Sequence, residues 1–145
     1  MVEKLYNDAV IFPIPESVGE RPWGTEDLLG LVSQQFSLKR LFLRKGSKGG
    51  LQFHRLKDEI AVLISGNLLI RYDLGDGVLK EKVVGPGEVV HFPPKLVHQE
   101  EALTDCLIIE ASTPHFNDRV RVEHKYGLGD PHGLPTTNEK EIEIR

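Results

Sequence analysis

The chain has 145 residues, 39% hydrophobic and 28% charged, which is enough for one self-sufficient core and excludes wholesale disorder. A formal net charge of −4 lacks the basic field that nucleic acid or an anionic membrane demands, so neither is expected as a partner. With the single Cys106 no internal disulfide forms, and the N-terminus has neither the apolar run nor the cleavage site of a signal peptide, so a cytoplasmic location is expected.

Residues 1–20, with Pro13, Pro15 and Gly19, read as an extended N-terminal arm or an edge strand added to a neighbour. Beyond them helical periodicity is scarce, and short β-branched or aliphatic runs alternate with Gly, Pro and Asp. Residues 37–44 alternate as a strand and end in a turn-rich loop at 45–50. Strands are predicted over 51–54 and 59–64, and Ser65-Gly66-Asn67 turns tightly into another over 68–74. Gly75-Asp76-Gly77 makes a hairpin turn into 78–84. Gly85-Pro86-Gly87 precedes a strand over 88–92, which Pro93-Pro94 stops because proline cannot donate to a ladder.

Residues 106–112 and 120–124 supply the last strands, and Cys106 reads as a buried, inert thiol. From Gly127 onward Gly, Pro, Asn and charged residues dominate, so 128–145 is predicted to be a flexible C-terminal tail. Short strands at this regular spacing predict an all-β sandwich or barrel over residues 21–127, as one domain.

Two segments carry ligand chemistry. Residues two apart on a strand share a face, so Gln52 and His54 point the same way. Glu59 lies across the 55–58 turn and returns opposite them, and His98 follows a strand and a Pro-Pro turn that bring its imidazole to the same interior. Oxygen from Gln52 and Glu59 with nitrogen from His54 and His98 suits one divalent ion with open positions (Zn, Mn, Fe, Co or Ni) better than a closed structural zinc. The plainer alternative makes Gln52, Glu59 and His98 surface polar groups and His54 a core filler; the joint spacing with Gly66, Gly87 and Pro93 favours the metal. His91 reads as a core or surface histidine, and His115, His124 and His132 as solvent-exposed.

The segment Gly50-Leu-Gln-Phe-His-Arg-Leu-Lys-Asp-Glu-Ile-Ala-Val-Leu-Ile-Ser-Gly66, followed by Gly87, Pro93 and His98, resembles the two motifs of the cupin superfamily, with Gln52 where a first His is typical. That Gln-x-His form is similar to the cupin domain of type II mannose-6-phosphate isomerases. Arg21-Pro22-Trp23-Gly24 resembles their opening segment, and residues 118–127 resemble their closing stretch. The chain departs from them at Lys57, Ile60, Ala61, Gln99 and Leu128, so scaffold and metal transfer better than the identity of the sugar.

The resemblance implies a cupin jelly-roll barrel in which Gln52, His54, Glu59 and His98 hold the metal, and a homodimer formed by strand exchange through residues 1–20. It also implies a small sugar or sugar-phosphate substrate and an aldose–ketose isomerase or epimerase. Lys57 and Arg121 are the catalytic candidates: Lys57 as a base lowered by burial and metal charge, a phosphate holder or a solvated charge, and Arg121 as a phosphate binder, a stabiliser of the enediolate or a partner of Glu123. Glu110 is a further candidate base or a strand-end surface carboxylate. Trp23 is expected to pack across the barrel mouth. A non-haem metal oxygenase and a non-catalytic sugar-binding cupin are the alternatives.

Overall fold

Strict alternation decides which side chains enter the interior. In strand β3 (Phe36–Leu43), Ser37, Lys39, Leu41 and Leu43 are buried while Phe36, Leu38, Arg40 and Phe42 face out. Strand β10 (Cys106–Ser112) buries Cys106, Ile108, Glu110 and Ser112, and β5 (Glu59–Ser65) buries Glu59, Ala61 and Leu63. The inward positions of all three strands change from aliphatic to polar partway along, at Lys39, Glu110 and Glu59. The interior therefore has an apolar half and a polar half.

The computed structural model describes residue 12 and residues 15–129 and 133–145. The other strands are β1 (Glu16–Arg21), β2 (Gly24–Val32), β4 (Gln52–Phe53), β6 (Leu68–Asp73), β7 (Lys80–Val84), β8 (Val89–Phe92), β9 (Val97–Ala102), β11 (His115–Phe116), β12 (Val120–Arg121) and β13 (Glu143–Ile144). Two 3-10 turns lie at Glu123–Tyr126 and Glu139–Glu141, and the described residues contain no α-helix. A six-stranded sheet runs β1-β2-β3-β10-β5-β8, a five-stranded sheet runs β12-β4-β9-β6-β7, and β11 pairs with β13. Every strand pairing is antiparallel. This is the single all-β jelly-roll domain expected.

The sheets meet through a cluster that takes Leu41, Leu63 and Ile108 from the larger and Leu68, Ile70 and Ala102 from the smaller. Each buried Leu or Ile among them contributes roughly 1.5–3 kcal/mol. A second cluster of Leu28, Leu31 and Phe116 lies at the β2 side. Cys106 is fully buried and unpaired, as expected. Gly66 has φ +94°, and a Cβ there would sit 2.2 Å from the carbonyl oxygen of Asp105, so only glycine makes this reversal.

Three local expectations are corrected. The arm predicted for 1–20 has a shorter reach, since Glu16–Arg21 is a sheet strand paired with β2; residues 1–11, 13 and 14 lie outside the described residues. Strands β2 and β9, β11 and β13 had no strong alternation signal in the sequence. The strand predicted for 120–124 ends at Arg121 and gives way to a 3-10 turn. The tail predicted to be flexible is built into the fold over 133–145. Thr137 is buried and donates its N–H to Arg119 O at 3.0 Å, and Glu143–Ile144 pairs with β11. Polar composition hid this, because backbone hydrogen bonds rather than apolar side chains hold the segment.

Candidate metal centre

The short strand β4 sits between β9 and β12, so Gln52 pairs directly with both His98 and Arg121. His54 follows at the strand's end, and Glu59 opens β5 on the facing sheet. One cavity of about 220 Å³ is lined by all six predicted site residues: Gln52, His54, Lys57, Glu59, His98 and Arg121.

The two imidazole Nε2 atoms each lie 3.5 Å from Glu59 Oε1. His54 Nδ1 donates to the backbone carbonyl of Asp118 at 2.5 Å, and His98 Nδ1 donates to that of Leu96 at 3.0 Å. A carbonyl oxygen can only accept, so the proton of each neutral ring sits on Nδ1 and leaves the Nε2 lone pair facing Glu59. His98 is further held by stacking on Phe92, with centroids 4.0 Å apart and planes at 11°. Three lone-pair donors, all within 4.8 Å of one another and all buried, thus converge. Such an arrangement repels itself without a cation at its focus. The residues fit a divalent metal, and ligand histidines tied through their other nitrogen are the usual support of such a site. Gln52 adds an oxygen donor type to the same wall.

Below the donors lies a buried charge network. Lys57 Nζ is 2.5 Å from Glu59 Oε2 and 2.9 Å from Glu110 Oε1. Burial would lower the Lys57 ammonium, but the Glu110 and Glu59 charges outweigh it and hold it well above its ordinary value. These two carboxylates oppose the lowering by burial that a base role for Lys57 calls for. Burial would raise Glu59 too, yet the Lys57 charge holds it well below the carboxylate range. Glu110 goes the other way, pushed up to about 7 by burial and then by the Glu59 charge. It is buried and faces the cavity, not the surface.

Arg121 is buried with its guanidinium on Glu123, at 3.1 Å from Nε to each carboxylate oxygen and closer still from Nη2. Its Nη1 donates to Leu134 O at 2.5 Å. A Cβ on Gly50 would lie 2.5 Å from Arg121 Nε, so this glycine makes room for the guanidinium. The pairing with Glu123, one of the alternatives for Arg121, is present in the structure. Trp23 packs against the core and lines the cavity. His91 is exposed and pairs with Asp58, whereas His115, expected in solvent, is half-buried and lines the cavity. His132 lies outside the described residues.

Sequence reasoning missed Lys39 and Glu100. Lys39 is buried 4.2 Å above the Phe116 ring, and burial and then the Lys57 charge lower its pKa. Glu100, also lining the cavity, is pushed up to about 7 by burial and then by Glu59. The signal was available: Glu100 follows His98 by two on β9 and so shares its face.

Comparison with known proteins places this site in context. The chain is 25% identical over 112 residues to germin-like protein subfamily T member 3 of Arabidopsis thaliana, covering 76% of this chain and 49% of that one. It therefore spans about half the length of that curated relative. Among solved structures, the capsular polysaccharide assembling protein CapF of Staphylococcus aureus superposes with a TM-score of 0.61 at 21% identity, over 70% of this chain and 28% of the other. Oxalate decarboxylase of Bacillus subtilis, a protein with Mn(II) centres, gives a TM-score of 0.64 at 18% identity, over 81% and 32% of the two chains. At such identities the superpositions show the shared fold. The profile of the cupin family matches residues 17–125, the span that holds both sheets and every donor just described, and the chain belongs to that family.

Proposed function

We propose that this cupin is a metal-dependent enzyme that moves a proton between adjacent carbons of a small sugar or sugar phosphate, as an aldose–ketose isomerase or epimerase does. The observation that carries the reading is the placement of three metal-type donors beside carboxyl groups that titrate near neutrality, within one cavity of about 220 Å³. The name of CapF, a capsular polysaccharide assembling protein, is in keeping with a carbohydrate substrate.

Gln52, His54, Glu59 and His98 would hold a divalent ion, which supplies Lewis acidity toward a carbonyl or hydroxyl oxygen, worth several kcal/mol. Glu110 holds its proton near pH 7, which suits a group that takes a proton from carbon and returns it. Lys57 stays cationic and positions both Glu59 and Glu110, so it donates a hydrogen bond rather than accepting a proton. Arg121 shapes the wall through Glu123 and Leu134.

Two measurements test the reading. Metal analysis should find a divalent ion in the purified protein and its loss in Gln52→Ala and His98→Ala. Proton NMR in deuterated water, with a panel of aldose and ketose phosphates, should show deuterium entering at C1 or C2. A wild-type content of metal retained in both variants overturns the site.

The set of two histidines and one carboxylate also matches that of non-haem iron oxygenases. Dioxygen uptake on aerobic assay, with no activity under nitrogen and no deuterium exchange, would favour that second reading. Ligand binding that survives metal removal without turnover would mark a binding-only cupin.

A further inference from the structure

Lys39, Lys48 and Lys57 line the cavity, and the structure treats each differently. Lys48 is exposed, and Lys57 is held between Glu59 and Glu110. Lys39 is only 4% exposed, yet among the described residues its Nζ has no hydrogen bond and no ion pair. The contact it does make is with the Phe116 ring, 4.2 Å below. A buried amine without a polar partner is costly, and a methionine of similar length would pack there without that cost.

Strand geometry aims this amine at the site. Lys39 pairs with Glu110, which pairs with Ala61, and all three face inward from β3, β10 and β5. Glu59 opens β5, so Lys39 stands two strand spacings, about 10 Å, from that donor across the sheet. A ligand of a few carbons spans this gap, with one end at the metal-type donors and the other at Nζ.

We propose that Lys39 is a reactive amine that condenses with the carbonyl group of a ligand in this cavity to form a Schiff base. The Nζ lone pair adds to the carbonyl carbon, and the two amine protons leave with the carbonyl oxygen as water. A C=O bond is thereby replaced by a C=N bond, and nothing is oxidised or reduced. The step needs an amine that has shed its ammonium proton. Burial and then the Lys57 charge lower the Lys39 pKa, against the opposing charges of Glu26, Glu110 and Glu59. Desolvation and a cationic neighbour are the two ways in which proteins activate a lysine for attack on carbonyl carbon. Lys57 is unsuited to the part, because its two carboxylates keep the proton on it. The condensation involves no metal and stands apart from the proton transfer proposed above.

Reductive trapping on the full chain, after chelation of any metal, tests it. Glyceraldehyde with sodium cyanoborohydride near neutral pH converts a Schiff base into a stable secondary amine, which peptide mass mapping locates. Lys39 should be labelled at least ~10-fold faster than any exposed lysine, since one pH unit of lowering gives about ten times more free amine. Lys39→Met should lose the fast labelling and keep the slow labelling of the surface. Should that variant fail to fold, Lys39→Arg retains the charge, forms no Schiff base and should lose the fast phase equally. Labelling of Lys39 no faster than that of exposed lysines overturns the proposal. So does fast labelling that maps to Lys48 or Lys57, or that persists in the Lys39 variants.

Discussion

Asp118 holds His54 with its backbone carbonyl and the turn that follows His54 with its carboxylate. The Asp118 carbonyl accepts the His54 Nδ1 proton at 2.5 Å, while its carboxylate accepts the backbone N–H groups of Arg55, Leu56 and Lys57 at 3.0, 2.8 and 3.0 Å. One residue from the closing segment thus sets the tautomer of a metal-type donor and shapes the turn that separates it from Glu59.

Replacing Asp118 with Ala leaves three backbone donors without their acceptor, and each buried unpaired donor costs about 1–3 kcal/mol. Urea unfolding should show a loss of at least ~2 kcal/mol. A metal titration should show weaker affinity, because the turn between His54 and Glu59 loses the carboxylate that shapes it, while the backbone carbonyl that takes the His54 proton remains. The pH dependence has a definite sign. Burial would raise the Asp118 carboxyl, but the Leu56, Arg55 and Lys57 N–H groups hold it below its ordinary value. Its stabilisation is present above the unfolded pKa of ~3.9 and disappears as pH falls through the folded value, and Asp118→Ala should flatten that acid limb.

Apoprotein stability should fall as pH rises across the weakly acidic range. Glu100 and Glu110 are each pushed up from 4.5 to about 7 by burial and the neighbouring Glu59 charge. Between those values the folded chain retains protons that the unfolded chain has released, so folding loses free energy with increasing pH. Thermal unfolding after chelation should show a midpoint decreasing from pH 4.5 to 7. Glu110→Gln, which carries no ionisable proton, should weaken the slope. Added divalent metal should weaken it as well, by favouring the ionised carboxylates.

Metal binding to folded protein alone stabilises it by about 2.7 kcal/mol at a free concentration of 100 times its dissociation constant. Calorimetric scans of wild type with added Mn or Zn should shift upward. Glu59→Gln and His98→Ala should show no such shift, because each removes a donor from the convergent set. A full shift in both variants would place the ion elsewhere.

Arg121 and Glu123 should behave as a structural pair. Removing one partner of a buried pair costs about 3–5 kcal/mol. Arg121→Met and Glu123→Gln should therefore each lower stability, while metal content stays at the wild-type level. Gly50→Ala should cost about 1–3 kcal/mol through overpacking, because its Cβ meets a guanidinium pinned from the other side.

Much of the barrel is legible because period-two alternation carries its own readout. The predicted run at 106–112 coincides with β10, and the run at 37–44 is displaced by one residue from β3. Gln52, His54, Glu59 and His98 were likewise readable, since alternation and the Gly and Pro punctuation fix their faces. Strands β1 and β13 were hidden, being held by pairing with neighbours rather than by an apolar stripe of their own. Glu110 looks like a surface residue at the end of an apolar run. It is buried because β10 pairs on both sides, with β3 and β5.

By itself the sequence determined the strand pattern, the inward donors and the family to which the chain belongs, because spacing along a pleated strand dictates facing without knowledge of the partner strand. Tertiary structure alone decided which charges surround Lys57, Glu59 and Glu110 and that Arg121 lies on Glu123. A pKa depends on which charges are brought within a few ångströms and on how much water is excluded, and neither quantity is a property of neighbours in sequence. Lys57 illustrates the division: its position was legible, and its charge state was set by Glu59 and Glu110, one two residues away and the other more than fifty.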